Sequence, residues 1–138
     1  MKGKLIKILF TFVFLVVIVN VFFIYDGPNC TSTQSIDTSI SVLEGPRRIV
    51  GLNADTDSLK FGTTSPQTVA RRSVYVSNEK NARVTVTTEG DFSTWMNITP
   101  QEFDLIANED KEVKFTVRVP DYTENGNYSG KVSFCFKE

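Results

Sequence analysis

Glu112-Val113-Lys114-Phe115-Thr116-Val117-Arg118-Val119 decides the fold class of this chain. Successive side chains of a strand point to opposite faces, so Val113, Phe115, Val117 and Val119 share one side and Glu112, Lys114, Thr116 and Arg118 the other. The same period of two runs outward through the sequence. Residues 69–77 set Val74 and Val76 against Ser73, Tyr75 and Ser77, and residues 82–88 set Ala82, Val84 and Val86 against Arg83, Thr85 and Thr87. Residues 130–137 turn Val132, Phe134 and Phe136 inward after an Asn125-Gly126-Asn127 turn, and residues 59–62 form a shorter strand closed by Thr63-Thr64-Ser65-Pro66.

About seven short strands, each with one apolar face and separated by turn signals every 8 to 12 residues or so, predict an all-β, immunoglobulin-like antiparallel β-sandwich. Trp95, the only tryptophan, follows the turn Glu89-Gly90-Asp91 and is expected to plug the core between the sheets. The alternative places it on the surface as a ligand platform.

The one segment without this pattern lies at the start. Lys2, Lys4 and Lys7 precede an almost unbroken apolar run over residues 8–25. Roughly 18 residues at about 1.5 Å rise nearly cross a hydrocarbon core, and lysines are retained on the cytoplasmic side. The chain is therefore expected to carry a cytoplasmic tail at 1–7, one transmembrane helix at 8–25 and everything beyond it outside the cell membrane. A cleaved secretory signal is the rival, but the run ends Val21-Phe22-Phe23-Ile24-Tyr25 without an Ala-x-Ala pattern.

Residues 26–46 follow as a stalk or an edge-strand segment. Seven Ser or Thr between Thr31 and Ser41 favour a solvated stalk, whereas Ile36, Thr38, Ile40 and Val42 keep a strand period. Gly45-Pro46 then breaks the chain, and the sandwich is expected over 47–138. After residue 25, 12 Lys plus Arg stand against 16 Asp plus Glu, a balance that argues against nucleic acid or an anionic membrane surface as partner.

The two cysteines lie at opposite ends of the external part. Cys135 alternates with Phe134 and Phe136, so its side chain points away from their core, and Cys30 sits just outside the membrane. In an oxidising compartment two cysteines allow one intramolecular disulfide, Cys30 to Cys135; an intermolecular bond and free thiols remain the alternatives.

Three Asn-x-Ser/Thr sequons occur, at Asn29, Asn97 and Asn127. Asn127, at an expected hairpin tip, is the better acceptor, with Asn97 second; Asn29 lies too near the membrane for ready enzyme access. Asn53-Ala54-Asp55-Thr56-Asp57-Ser58 has the oxygen spacing of a calcium loop, but Ser58 and Thr64 stand where the EF-hand needs Gly and Glu, so an Asx-rich turn is expected. Two distant cysteines without histidine do not make a metal shell, and no cofactor motif is present. No catalytic residue is assigned, because the commonest general base is missing from the chain.

Leu59-Lys60-Phe61-Gly62, Ser73-Val74-Tyr75-Val76-Ser77-Asn78, Trp95, Val117-Arg118-Val119-Pro120 and Gly126-Asn127-Tyr128-Ser129-Gly130 resemble the Ig-like modules of archaeal and bacterial surface proteins, in particular the NEW3 (α-galactosidase-associated) and ASPM/SPD-2/Hydin-like groups. Gln67 departs from them, standing where such modules often have Gly. The resemblance implies spacer, adhesive or assembly roles and no catalysis. The expected function is a single-pass, membrane-anchored Ig-like module with a structural or protein-interaction role in the cell envelope, its partner a cell-surface protein or glycan. Two other classes remain open. One is a surface-filament or motility accessory that binds the cell wall, on the plan of archaellum stators. The other is a carbohydrate-binding accessory, whose aromatic platform would draw on Tyr75, Tyr122 and Tyr128.

Overall fold

The strand period of residues 32–42 is realised in full: Ser32–Val42 forms β1, with Thr38, Ile40 and Val42 buried and Ser35, Asp37 and Ser39 outside. The computed structural model describes residues 30–45 and 58–138. The anchor at 8–25, the sequon at Asn29 and most of the calcium-like loop lie outside the described residues.

Seven further strands follow: β2 (Ser58–Thr64), β3 (Val69–Val76), β4 (Ala82–Gly90), β5 (Met96–Thr99), β6 (Glu102–Leu105), β7 (Lys111–Arg118) and β8 (Gly126–Lys137). Among the described residues a single 3₁₀ turn, Ser93–Trp95, interrupts them. They form two sheets, one of five strands in the order β2-β1-β8-β4-β6 and one of three in the order β3-β7-β5. The described residues are all-β, with two sheets packed over one apolar core of Phe, Val, Leu and Ile side chains.

From β2 onward, every connection crosses from one sheet to the other. No tight hairpin therefore joins hydrogen-bonded neighbours among the described residues. Register is held instead by burial: slipping a strand by one residue would expose its whole apolar set. β7 is the clearest instance, with Val113, Phe115 and Val117 fully buried between β3 and β5.

Four expectations need correction. The segment taken as a stalk or edge strand is internal, paired with β8 along Ser32 to Val42 and with β2 from Asp37, so the folded unit begins before residue 47. Thr33, Ser35, Ser39 and Ser41 mark its polar outer face, and the inner face carries the apolar signal with Thr38 buried among it. The sandwich is also not wholly antiparallel, since β1 and β2 run parallel.

Asn125-Gly126-Asn127 is not a hairpin tip. Gly126 and Asn127 already belong to β8 and pair with Val42 and Ser41. Finally, Phe92 rather than Trp95 fills the core at the β4 exit. Phe92 is 1% exposed, while Trp95 is half-buried at the rim, its ring 6.2 Å from Phe92 and 4.9 Å from Tyr128.

The loop between β2 and β3 places Gln67 at φ +63°, in the left-handed region where glycine is favoured. Its N–H donates to the Val119 carbonyl, and Val119 N–H returns a bond to Thr68. This reciprocal pair holds the turn without a glycine.

Candidate functional site

Cys30 and Cys135 form a disulfide, with Cα atoms 5.3 Å apart. Pairing of β1 with β8 creates the proximity, because Cys135 lies opposite Thr33 and the chain before β1 continues alongside, Thr31 N–H donating to Phe136 O. Cys135 alternates outward from Phe134 and Phe136 as its sequence position implies, and it is buried nonetheless.

The two described sequons differ in setting. Asn127 is exposed but sits on a central strand, and its amide oxygen accepts a hydrogen bond from Ser41 Oγ at 2.7 Å. Asn97 is exposed on β5, at the edge of the three-stranded sheet, with Thr99 on the same face. Both asparagines are exposed, Asn97 on an edge strand and Asn127 on a central one.

The tyrosines do not make one platform. Tyr75 (69% exposed) lies opposite Glu112 at the start of β7, and Tyr122 (98% exposed) lies past its other end. The run from Glu112 to Arg118 alone spans about 20 Å at strand rise. Tyr128 is half-buried against Trp95, and its hydroxyl donates to Glu124 O.

Where β1, β4 and β8 lie side by side, Asp37, Glu89 and Asp91 border a shallow depression floored by Gly90 and Gly130. Asp91 Oδ2 there accepts bonds from Ser129 N–H and Oγ–H, which fixes the turn after β4. Among the described residues no group of three or more Cys, Asp or Glu converges on a cation position.

The two outer faces differ in chemistry. On the five-stranded sheet, cross-strand rows read Ser35-Ser133-Thr87 and Asp37-Lys131-Glu89, so hydroxyls dominate and Lys131 lies between two acids. On the three-stranded sheet the rows are Val69-Arg118, Arg71-Thr116-Asn97, Ser73-Lys114-Thr99 and Tyr75-Glu112. That face carries three cations and one carboxylate, Glu112, which pairs with Lys114 at 3.3 Å. No carboxylate among the described residues pairs with Arg71 or Arg118. Net charge concealed this segregation, since Arg71 and Arg118 meet only through the register of β3 on β7.

Comparison with protein-family models, curated proteins and solved structures returns no match. No helix among the described residues is long and apolar enough to cross a membrane.

Proposed function

We propose that this protein is a single-pass, membrane-anchored, extracytoplasmic module of immunoglobulin-like type with a structural or interaction role in the cell envelope. One juxtaposition carries the reading: a lysine-flanked apolar run over residues 8–25 is followed at Cys30 by a disulfide to Cys135. Disulfides persist in oxidising compartments, which is where a chain with cytoplasmic lysines would place its remaining residues. The sheets of five and three strands, with crossing connections from β2 onward, support the Ig-like assignment, and the parallel β1–β2 pair sets this sandwich apart from a wholly antiparallel one. The reading includes no catalytic step, no cofactor and no nucleic-acid partner.

Carbonate extraction of membranes with N-terminal sequencing tests the anchor. The expected result is membrane-retained protein with its lysine-rich start intact. Soluble material beginning near Asp26 would overturn it.

A further inference from the structure

We propose that the outer face of the three-stranded sheet, built on Arg71, Lys114 and Arg118 around Thr116, binds an anionic polysaccharide of the cell surface. This deepens the envelope reading above by naming the chemistry of the partner.

The argument begins with register. Thr116 lies directly opposite Arg71 on β3 and Asn97 on β5, while Lys114 and Arg118 are its same-face neighbours along β7. Opposed residues set their Cβ atoms about 5 Å apart, and same-face neighbours on one strand lie about 7 Å apart. All three cations therefore spring from around one hydroxyl. Arg71 and Arg118 are exposed without a carboxylate partner among the described residues. Diagonal like charges repel, and an anion seated over Thr116 would relieve that repulsion.

Charge complementarity names the sign of the occupant, and the remaining side chains name its kind. Ser73, Thr99, Thr116 and Asn97 offer hydroxyl and amide groups suited to sugar hydroxyls, and guanidinium groups match sulfate or carboxylate oxygens in a bidentate fork. Large apolar side chains stand only at the two ends of the face, Val69 and Tyr75. A protein partner would need a buried apolar anchor at the centre, and a bilayer would need a wedge to insert; the centre of this face has neither. A polar, extended polyanion needs only the charges and hydroxyls present.

The test uses the full chain, made without glycosylation so that Asn97 is bare and purified in non-ionic detergent. Immobilised dextran sulfate is the probe, with neutral dextran as control. Binding to dextran sulfate alone is expected, weakening as salt rises because exposed charges are screened. The double variant Arg71→Glu with Arg118→Glu should bind at least about tenfold more weakly, a loss of about 1.4 kcal/mol. Lys131→Glu, on the opposite sheet, should bind within about twofold of the parent, since exposed charges remote from the contact contribute little.

Equal retention on neutral dextran, an undiminished double variant or an equal loss in Lys131→Glu would overturn the proposal. Absence of retention on dextran sulfate would also overturn it. Matching thermal melts of the variants and the parent would show that charge, and not folding, is being read. Binding is measured on purified protein, so a failed anchor and a failed face give separate results.

Discussion

Gly90 and Gly130 face each other across β4 and β8 so closely that a Cβ on Gly90 would lie 2.5 Å from the Gly130 Cα. Gly90 also holds φ at +109°, and a Cβ on Gly130 would meet Glu89 O at 2.6 Å and Thr38 Oγ1 at 2.9 Å. The ring of Phe92 lies beside the Gly130 position, covering backbone that no side chain shields. Aromatic cover of a strand glycine recovers packing that the missing side chain forfeits.

Gly90→Ala and Gly130→Ala should each destabilise the fold by about 2–4 kcal/mol, because the clash is with backbone that cannot swing aside. Gly126→Ala should change stability by less than about 0.5 kcal/mol, because its nearest neighbour is a side chain at 3.8 Å. Denaturant melts of the three variants make the comparison.

Phe115 is buried at the centre of β7 with its ring edge-on to Phe134, 6.4 Å away, so the contact spans the two sheets. Phe115→Ala should cost about 3–5 kcal/mol, a large part of the stability of an ordinary domain. Thr116→Ala, on the outer face, should cost well under about 1 kcal/mol. Equal losses would contradict the assigned faces.

The disulfide closes a loop with a sequence separation of 105. Reduction, or Cys30→Ser with Cys135→Ser, should lower stability by about 2–5 kcal/mol. Non-reducing peptide mapping should recover one peptide pair holding both cysteines. Alkylation of both thiols without prior reduction would contradict the bond.

Arg83 Nε donates to Glu102 Oε1 at 2.8 Å across β4 and β6. That hydrogen bond, reinforced by the charge on Arg83, holds the Glu102 carboxyl below the usual glutamate range. A depressed carboxyl stabilises the fold in full above the unfolded value of about 4.3, and the contribution is lost as pH falls through the folded value. Titration of Glu102 by NMR should show a low midpoint that rises in Arg83→Ala. The pair is solvent-exposed, so added salt should shrink the difference.

Burial period was legible wherever the buried side chains were large and apolar. Val113, Phe115 and Val117 left no choice of face, and β3, β4 and β8 were read on the same grounds. β1 was half hidden because Thr33, Ser35, Asp37, Ser39 and Ser41 made its composition look like a stalk, although Ile40 and Val42 already kept the strand period. β5 and β6 are four residues each, too short for alternation to separate from chance. Trp95 drew the core assignment by size, yet Phe92 took it, being the side chain next to the glycine crossing. The cation cluster was beyond local reading, because it depends on which strand lies beside which, and no hairpin announced that pairing.

The bond from Cys30 to Cys135 also decides how the fold bears tension. Glu138 N–H donates to Thr31 Oγ1, so residues 30 and 138 leave the sandwich at one corner, where β1 and β8 end together. A pull arriving through residue 30 would otherwise peel β1 from β8 one hydrogen bond at a time, as a zipper opens. With the disulfide in place the pull passes through a covalent link into β8, which is flanked by β1 and β4, and the peeling front has nowhere to start. Oxidised, that corner couples residue 30 rigidly to β8. Reduced, it becomes a joint that opens.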